Sequence, residues 1–158
     1  MKVYTVEEYK SQGKEPEIVF WVGCAGSFDS RAQKITHALV KILHHAGIEF
    51  AVLGNDESCT GDPARRSGNE FIFQMMALQN IETLKMHNVK KMVTSCPHCF
   101  NTLKNEYPAL GGEYEVIHHT QLIQQLIEEK RISIEGGAFA DKRIVYHDSC
   151  YLGRINGV

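Results

Sequence analysis

The features missing from this 158-residue sequence narrow its function first. No apolar run exceeds about five residues, against the roughly 20 that a membrane-spanning helix needs, so no segment here reads as crossing a bilayer. Lysine and arginine form no tract, and 17 basic against 19 acidic side chains leave a net charge of −2, which argues against nucleic acid as a partner. No secretory signal is read and the five cysteines are odd in number, which disfavours a disulfide-stapled secreted domain and favours a reducing cytoplasm. There is no low-complexity segment. Gly23-x-x-Gly26 lacks the third glycine and the acidic residue of a dinucleotide-binding turn; it reads as backbone that passes close to a site. What is present is 43% apolar content, enough for one ordinary domain with a core.

Short apolar runs alternate with helical periods. Ile18 to Val22, Phe50 to Leu53, Lys91 to Thr94, Tyr114 to Ile117 and Arg143 to Tyr146 read as strands. Between them, Ile35, Leu39, Ile42 and Ala46 recur at helical spacing from about Asp29, with Gly47 as the stop. Ser67-Gly68-Asn69-Glu70 has the form of a capping box opening a helix to about His87, with Phe71, Met75, Leu78 and Ile81 or Glu82 near one face. Pro97 suits the first turn of a helix ending near Tyr107-Pro108, and Thr120 to Glu129 forms another with Leu122, Ile123, Leu126 and Ile127 inward. Alternation of this kind predicts an α/β fold, a Rossmann-like doubly wound, mainly parallel sheet of 4–5 strands flanked by helices. Residues 1–16 are polar and read as a linker or flexible arm.

In such a sheet, sites form outside the carboxyl ends of the strands. Cys24, Cys59, Cys96 and Cys150 each come just after an expected strand, and Cys99 lies one helical turn past Cys96. Thirty-four residues separate Cys24 from Cys59, and 35 separate Thr60 from Cys96. Thiolates gathered from separate segments suit an iron–sulfur cluster or a soft metal. Cys96 sits where the cap of a helix would be, so free N–H groups favour its ionised form there.

Cys24, then Cys59-Thr60-Gly61, then Cys96-Pro97-His98-Cys99 resembles the cysteine-rich CCG domain of (Fe-S)-binding oxidoreductases, the family of the B-type component of heterodisulfide reductase and of the glycolate oxidase iron–sulfur subunit. The likeness covers about residues 18 to 105, and Tyr146 to Arg154, with Cys150, is similar to the opening of a second copy of the same motif. The resemblance implies a CCG domain over residues 17–142, the first strand and cysteine of a truncated second copy over 143–158, and hence a fragment of a longer protein. It further implies a domain that binds an iron–sulfur cluster and transfers electrons in a larger oxidoreductase, heterodisulfide reductase-like or tied to a hydroxy-acid dehydrogenase. Its partners would be flavoprotein or ferredoxin-like redox subunits, in the cytoplasm or at the inner face of the membrane through other regions. The family's middle motif is Cys-Cys-Gly. With Thr60 in the second place, four thiolates remain, Cys24, Cys59, Cys96 and Cys99, the complement of a [4Fe-4S] cubane, with Cys150 left for a second motif.

Other readings compete. The same four thiolates could hold zinc as a substitute or a native structural ion, though only one close ligand pair is present. Cys96-Pro97-His98-Cys99 alone suggests a thioredoxin-like oxidoreductase, but the only later proline is Pro108, in a helix-ending turn. The cysteines could also be unrelated buried thiols. An alternative from another class is a cluster-free or zinc-binding structural or docking module between redox subunits. Arg65 and Arg66 are placed to offset the charge of a thiolate cluster, and His98, His118, His119 and His147 share the cysteine rim, where a structural role is the default.

Overall fold

The computed structural model describes residues 2–137 and 139–158. Four strands, β1 (Ile18–Trp21), β2 (Phe50–Ala51), β3 (Lys91–Thr94) and β4 (Glu115–His118), form one sheet in the order β2-β1-β3-β4, with every pairing parallel. The order reverses between β1 and β3, which leaves a crevice at their carboxyl ends. Among the described residues, seven α-helices accompany the strands: α1 (Val6–Ser11), α2 (Gly23–Phe28), α3 (Ser30–His45), α4 (Asp62–Arg66), α5 (Glu70–Met86), α6 (Pro97–Asn101) and α7 (His119–Glu128).

Both faces of the sheet are covered, as a parallel sheet requires. On one face Phe20 and Val93 pack with Leu39 and Leu43 of α3 and Leu122 and Leu126 of α7. On the other, Val19, Trp21 and Met92 pack with Phe73, Ala77, Ile81 and Leu84 of α5 and Phe100 of α6. The register sets Trp21 beside Thr94 and Thr94 beside His118, a row across the carboxyl rim.

The structure departs from the sequence reading in several places. Residues 1–16 are not a loose arm: Thr5 forms a capping box with Glu8, α1 follows, and Val6 is buried beside a bridge from Thr5 to Val52. Arg143 to Tyr146 is not a strand, and Val145 is 94% exposed. The capping box at Ser67 does not form. Asn69 caps α5 by accepting from the Ile72 N–H, while the Ser67 hydroxyl donates to the Ala64 carbonyl at the end of α4.

The face expected of α5 is wrong except at Ile81. Phe71 and Met75 are 75% and 54% exposed, and Phe73, Ala77, Asn80, Ile81 and Leu84 are buried. Both stripes have helical spacing, and the inner one contains a polar residue, so hydrophobicity alone selects the wrong one. Ile35 of α3 is likewise exposed. The helix from Pro97 is α6 only as far as Asn101. A π-helical turn (Thr102–Glu106) and a 3-10 turn (Tyr107–Leu110) carry the chain on.

Candidate cluster site at the carboxyl rim

Cys24 lies in the first turn of α2, directly after β1. Gly23 opens that helix with φ +77°, and a Cβ there would sit 3.3 Å from the Cys99 sulfur. Glycine is therefore what lets the Cys24 segment lie against Cys99. Cys59 ends the loop after β2, and Cys96 is the N-cap of α6, with Pro97 at its first position and Cys99 in its first turn. Three segments thus deliver four cysteines to one rim. Cys24 is exposed, Cys59 and Cys96 half-buried and Cys99 buried.

Polar side chains on neighbouring elements hold these segments in place. The Glu57 carboxylate accepts the N–H of Val22 at 3.0 Å and of Gly23 at 2.6 Å, tying the Cys59 loop to the start of α2. Asn80, buried on α5, accepts from the Ser58 hydroxyl and donates to the Cys59 carbonyl at 2.9 Å and to the Tyr107 oxygen at 3.0 Å. Tyr107 in turn donates to the Thr60 carbonyl at 3.1 Å. Gly61 turns with φ +85°, and a Cβ there would meet Phe73 Cδ2 at 3.0 Å and its backbone at 3.3 Å, so the third place of Cys59-Thr60-Gly61 admits no side chain. Thr60, 1% exposed, points its hydroxyl at the Cys99 sulfur, 3.9 Å away.

The thiols act on one another. The Cys96 sulfur most strongly, then burial, pushes Cys99 well above the usual thiol range, and the charge of Cys24 adds to this. Burial first, then the neighbouring Cys24, raises Cys59 against the lowering effect of the Gly61 N–H. Cys96 moves the other way, to about 6, because the Cys99 thiol and the N–H groups of Cys99 and His98 at the helix start stabilise its thiolate. This bears out the expectation for a cysteine at that cap. Beneath the rim, the Trp21 Nε1–H is buried without an acceptor in the same packed layer as Cys99 and Cys96. A donor without an acceptor, packed in the same layer as Cys99 and Cys96, suits a group that brings sulfur acceptors.

Other residues of interest are placed differently. Arg65 and Arg66 are committed elsewhere: Arg65 pairs with Glu106 at 3.0 Å, and Arg66 with Asp62 at 3.1 Å and also with Glu106. Buried Asp62 takes the His98 Nδ1 at 2.8 Å and the Thr102 hydroxyl at 3.4 Å. His118 caps α7, with Nδ1 2.7 Å from the Thr120 hydroxyl and Nε2 3.2 Å from the Ser95 carbonyl, and burial lowers its pKa to about 4. Burial also lowers the pKa of His119. His147 is exposed and outside any strand. Cys150 is exposed at the start of a π-helical turn (Cys150–Ile155) that seats Tyr151 against His98, with ring centres 4.4 Å apart. Glu57, Asn80 and Tyr107 were not anticipated. Of these only Glu57, two residues before Cys59, had any signal in the sequence.

The chain is 48% identical over 157 residues to a protein of Bacillus subtilis (strain 168) named probable iron-sulfur-binding oxidoreductase FadF, covering 99% of this chain and 22% of that protein. It is 45% identical over 146 residues to the EtfAB:quinone oxidoreductase of Syntrophomonas wolfei, covering 92% and 20%. It is 35% identical over 147 residues to the D-type component of the dihydromethanophenazine:CoB--CoM heterodisulfide reductase of Methanosarcina acetivorans, covering 89% and 35%. The likeness to heterodisulfide reductase thus runs through its D-type component. The chain spans between a fifth and about a third of these relatives' lengths. No solved structure matches. Residues 18–104 match the CCG cysteine-rich domain, and the chain belongs to that family.

Proposed function

We propose that Cys24, Cys59, Cys96 and Cys99 ligate one iron–sulfur cluster, a [4Fe-4S] cubane, in an electron-transfer domain of a larger oxidoreductase. The observation that supports this reading is that Cys24, Cys59, Cys96 and Cys99 follow β1, β2 and β3 at one rim of a parallel sheet, with the buried Thr60 hydroxyl 3.9 Å from the Cys99 sulfur where the family motif has a second thiol. When bound, the cluster supplies reversible one-electron transfer; the chain supplies ligation, burial and hydrogen bonds that set its potential. Cys96, already inclined to ionise, is suited to ligate first. The Trp21 Nε1–H and Thr60 hydroxyl are the donors available to tune the site.

A zinc tetrathiolate fits less well. Its sulfurs must lie about 3.8 Å apart around one ion. Among the described residues, no set of three metal-ligating atoms within 4.8 Å of one another includes a cysteine. The second reading, a cluster-free docking module, has no comparable support.

The sheet order, with helices on both faces, supports a Rossmann-like doubly wound architecture for the domain. The names of the relatives support redox partners, flavoprotein or ferredoxin-like, in a longer protein. No helix among the described residues is long and apolar enough to cross a membrane, so any membrane association of a cytoplasmic domain comes through other regions. Cys150 and its turn belong, in this reading, to the opening of a second CCG copy.

Anaerobic reconstitution with iron and sulfide tests the proposal. A brown protein with about four irons per chain is expected, bleached by Cys59→Ser or Cys96→Ser and little changed by Cys150→Ser. A colourless protein holding one zinc, or a cluster indifferent to Cys59→Ser, refutes it.

A further inference from the structure

Away from the cysteine rim, three side chains from three segments converge without any role in that site. Glu7 lies in the first turn of α1, Asp56 in the 3-10 turn after β2 (Gly54–Asp56), and His87 caps the end of α5. Their ligand atoms all lie within 4.8 Å of one another. His87 is nine-tenths buried, and its Nε2 is turned to Asp56 Oδ2 at 3.1 Å. They stand in a cleft of about 520 Å³ that also takes in Gln79 and Thr83.

The charge balance of this cleft is incomplete. Two carboxylates are brought together, and among the described residues Glu7 has no basic partner. Lys10, one turn along α1, also lines the cleft, but its ammonium donates to the Met86 carbonyl at 3.2 Å and forms no ion pair with Glu7, so two carboxylates face one lysine. The capping box of α1 uses Thr5 and Glu8 and leaves the Glu7 carboxylate out of it. One imidazole and two carboxylates on a half-open cleft form a donor set for a first-row divalent cation with water completing its shell. No thiolate is included, so the site is chemically distinct from the cysteines.

We propose that Glu7, Asp56 and His87 bind a divalent cation of the zinc or manganese class, fastening α1 to the turn between α5 and β3. Zinc is the tighter ligand for such a set and manganese the one indifferent to thiols.

The test uses the full chain with its cysteines reconstituted with iron and sulfide. Zinc is titrated by calorimetry while the visible absorbance of the cluster is followed. Manganese is titrated by loss of the EPR signal of the free ion, an arm that works whether or not the cluster is present. One equivalent of each is expected to bind with the absorbance unchanged. Glu7→Gln and Asp56→Asn, both exposed positions, are expected to weaken both ions tenfold or more. Glu115→Gln, an exposed carboxylate elsewhere, serves as the control and is expected to change nothing. Absence of manganese and zinc binding, or binding that Glu7→Gln and Asp56→Asn leave intact, overturns the proposal.

Discussion

Replacing Glu57 by alanine removes the one carboxylate that accepts both from Val22 at 3.0 Å and from Gly23 at 2.6 Å. These N–H groups open α2, the helix that carries Cys24, so the loss acts on the fold and on the site together. Each buried donor left without an acceptor costs about 1–3 kcal/mol. Glu57 is half-buried, so water recovers part of this, and a total of about 2–4 kcal/mol is expected. With a urea m-value of about 2 kcal/mol/M, the unfolding midpoint of the cluster-free protein should fall by about 1–2 M. Glu57→Gln keeps one carbonyl oxygen and turns an N–H₂ toward the other donor, so it should lose about half as much. The same pair should rank in iron retained after gel filtration, with the parent first, glutamine next and alanine last. Burial also raises the Glu57 carboxyl to about 7 from its ordinary 4.5. The folded state then keeps a proton that the unfolded chain has released. Glu57's contribution is in place below about 4.5 and is lost as pH rises through about 7, and Glu57→Gln should remove that slope. An alanine variant with an unchanged urea midpoint and full iron content would refute the clasp.

Thr60→Cys restores the family's Cys-Cys-Gly and puts a fifth thiol beside Cys99. Iron and sulfide analysis with EPR should show an altered cluster signature while the fold persists. Gly61→Ala must place a Cβ against Phe73 at φ +85°, and should lower stability by about 1–3 kcal/mol in urea unfolding. His118 is held neutral, with its pKa near 4 against the usual 6.5, so the unfolded chain takes up a proton first on acidification. Stability present above 6.5 is lost as pH falls toward 4, by up to about 3 kcal/mol, and His118→Gln should flatten that loss in pH-dependent thermal melts.

The sequence reading of the strands Ile18 to Val22 and Lys91 to Thr94 held because a parallel strand buried on both faces is a continuous apolar run, a signal needing no partner to be seen. Arg143 to Tyr146 carries the same kind of run and pairs with no strand among the described residues, so composition alone does not decide pairing. The phase of α5 failed for a related reason. A helix apolar on both sides has two faces of helical spacing, and the buried one carries Asn80, whose amide donates to the Cys59 carbonyl and to Tyr107.

The alternation of elements, the placing of cysteines after strands, and a cap position at Cys96 that favours thiolate were all legible in the residues alone. They follow from local periodicity and from the chirality of parallel crossovers. What holds the rim together emerged with the closed fold: Glu57 reaching back to Val22 and Gly23, the Asn80–Tyr107 pair beneath the Cys59 loop, and Asp62 taking up His98 and Arg66. The same closure brought Glu7 to Asp56 and His87. Such contacts join residues tens of positions apart through side-chain directions, and a buried polar group finds its partner only once the backbone is in place.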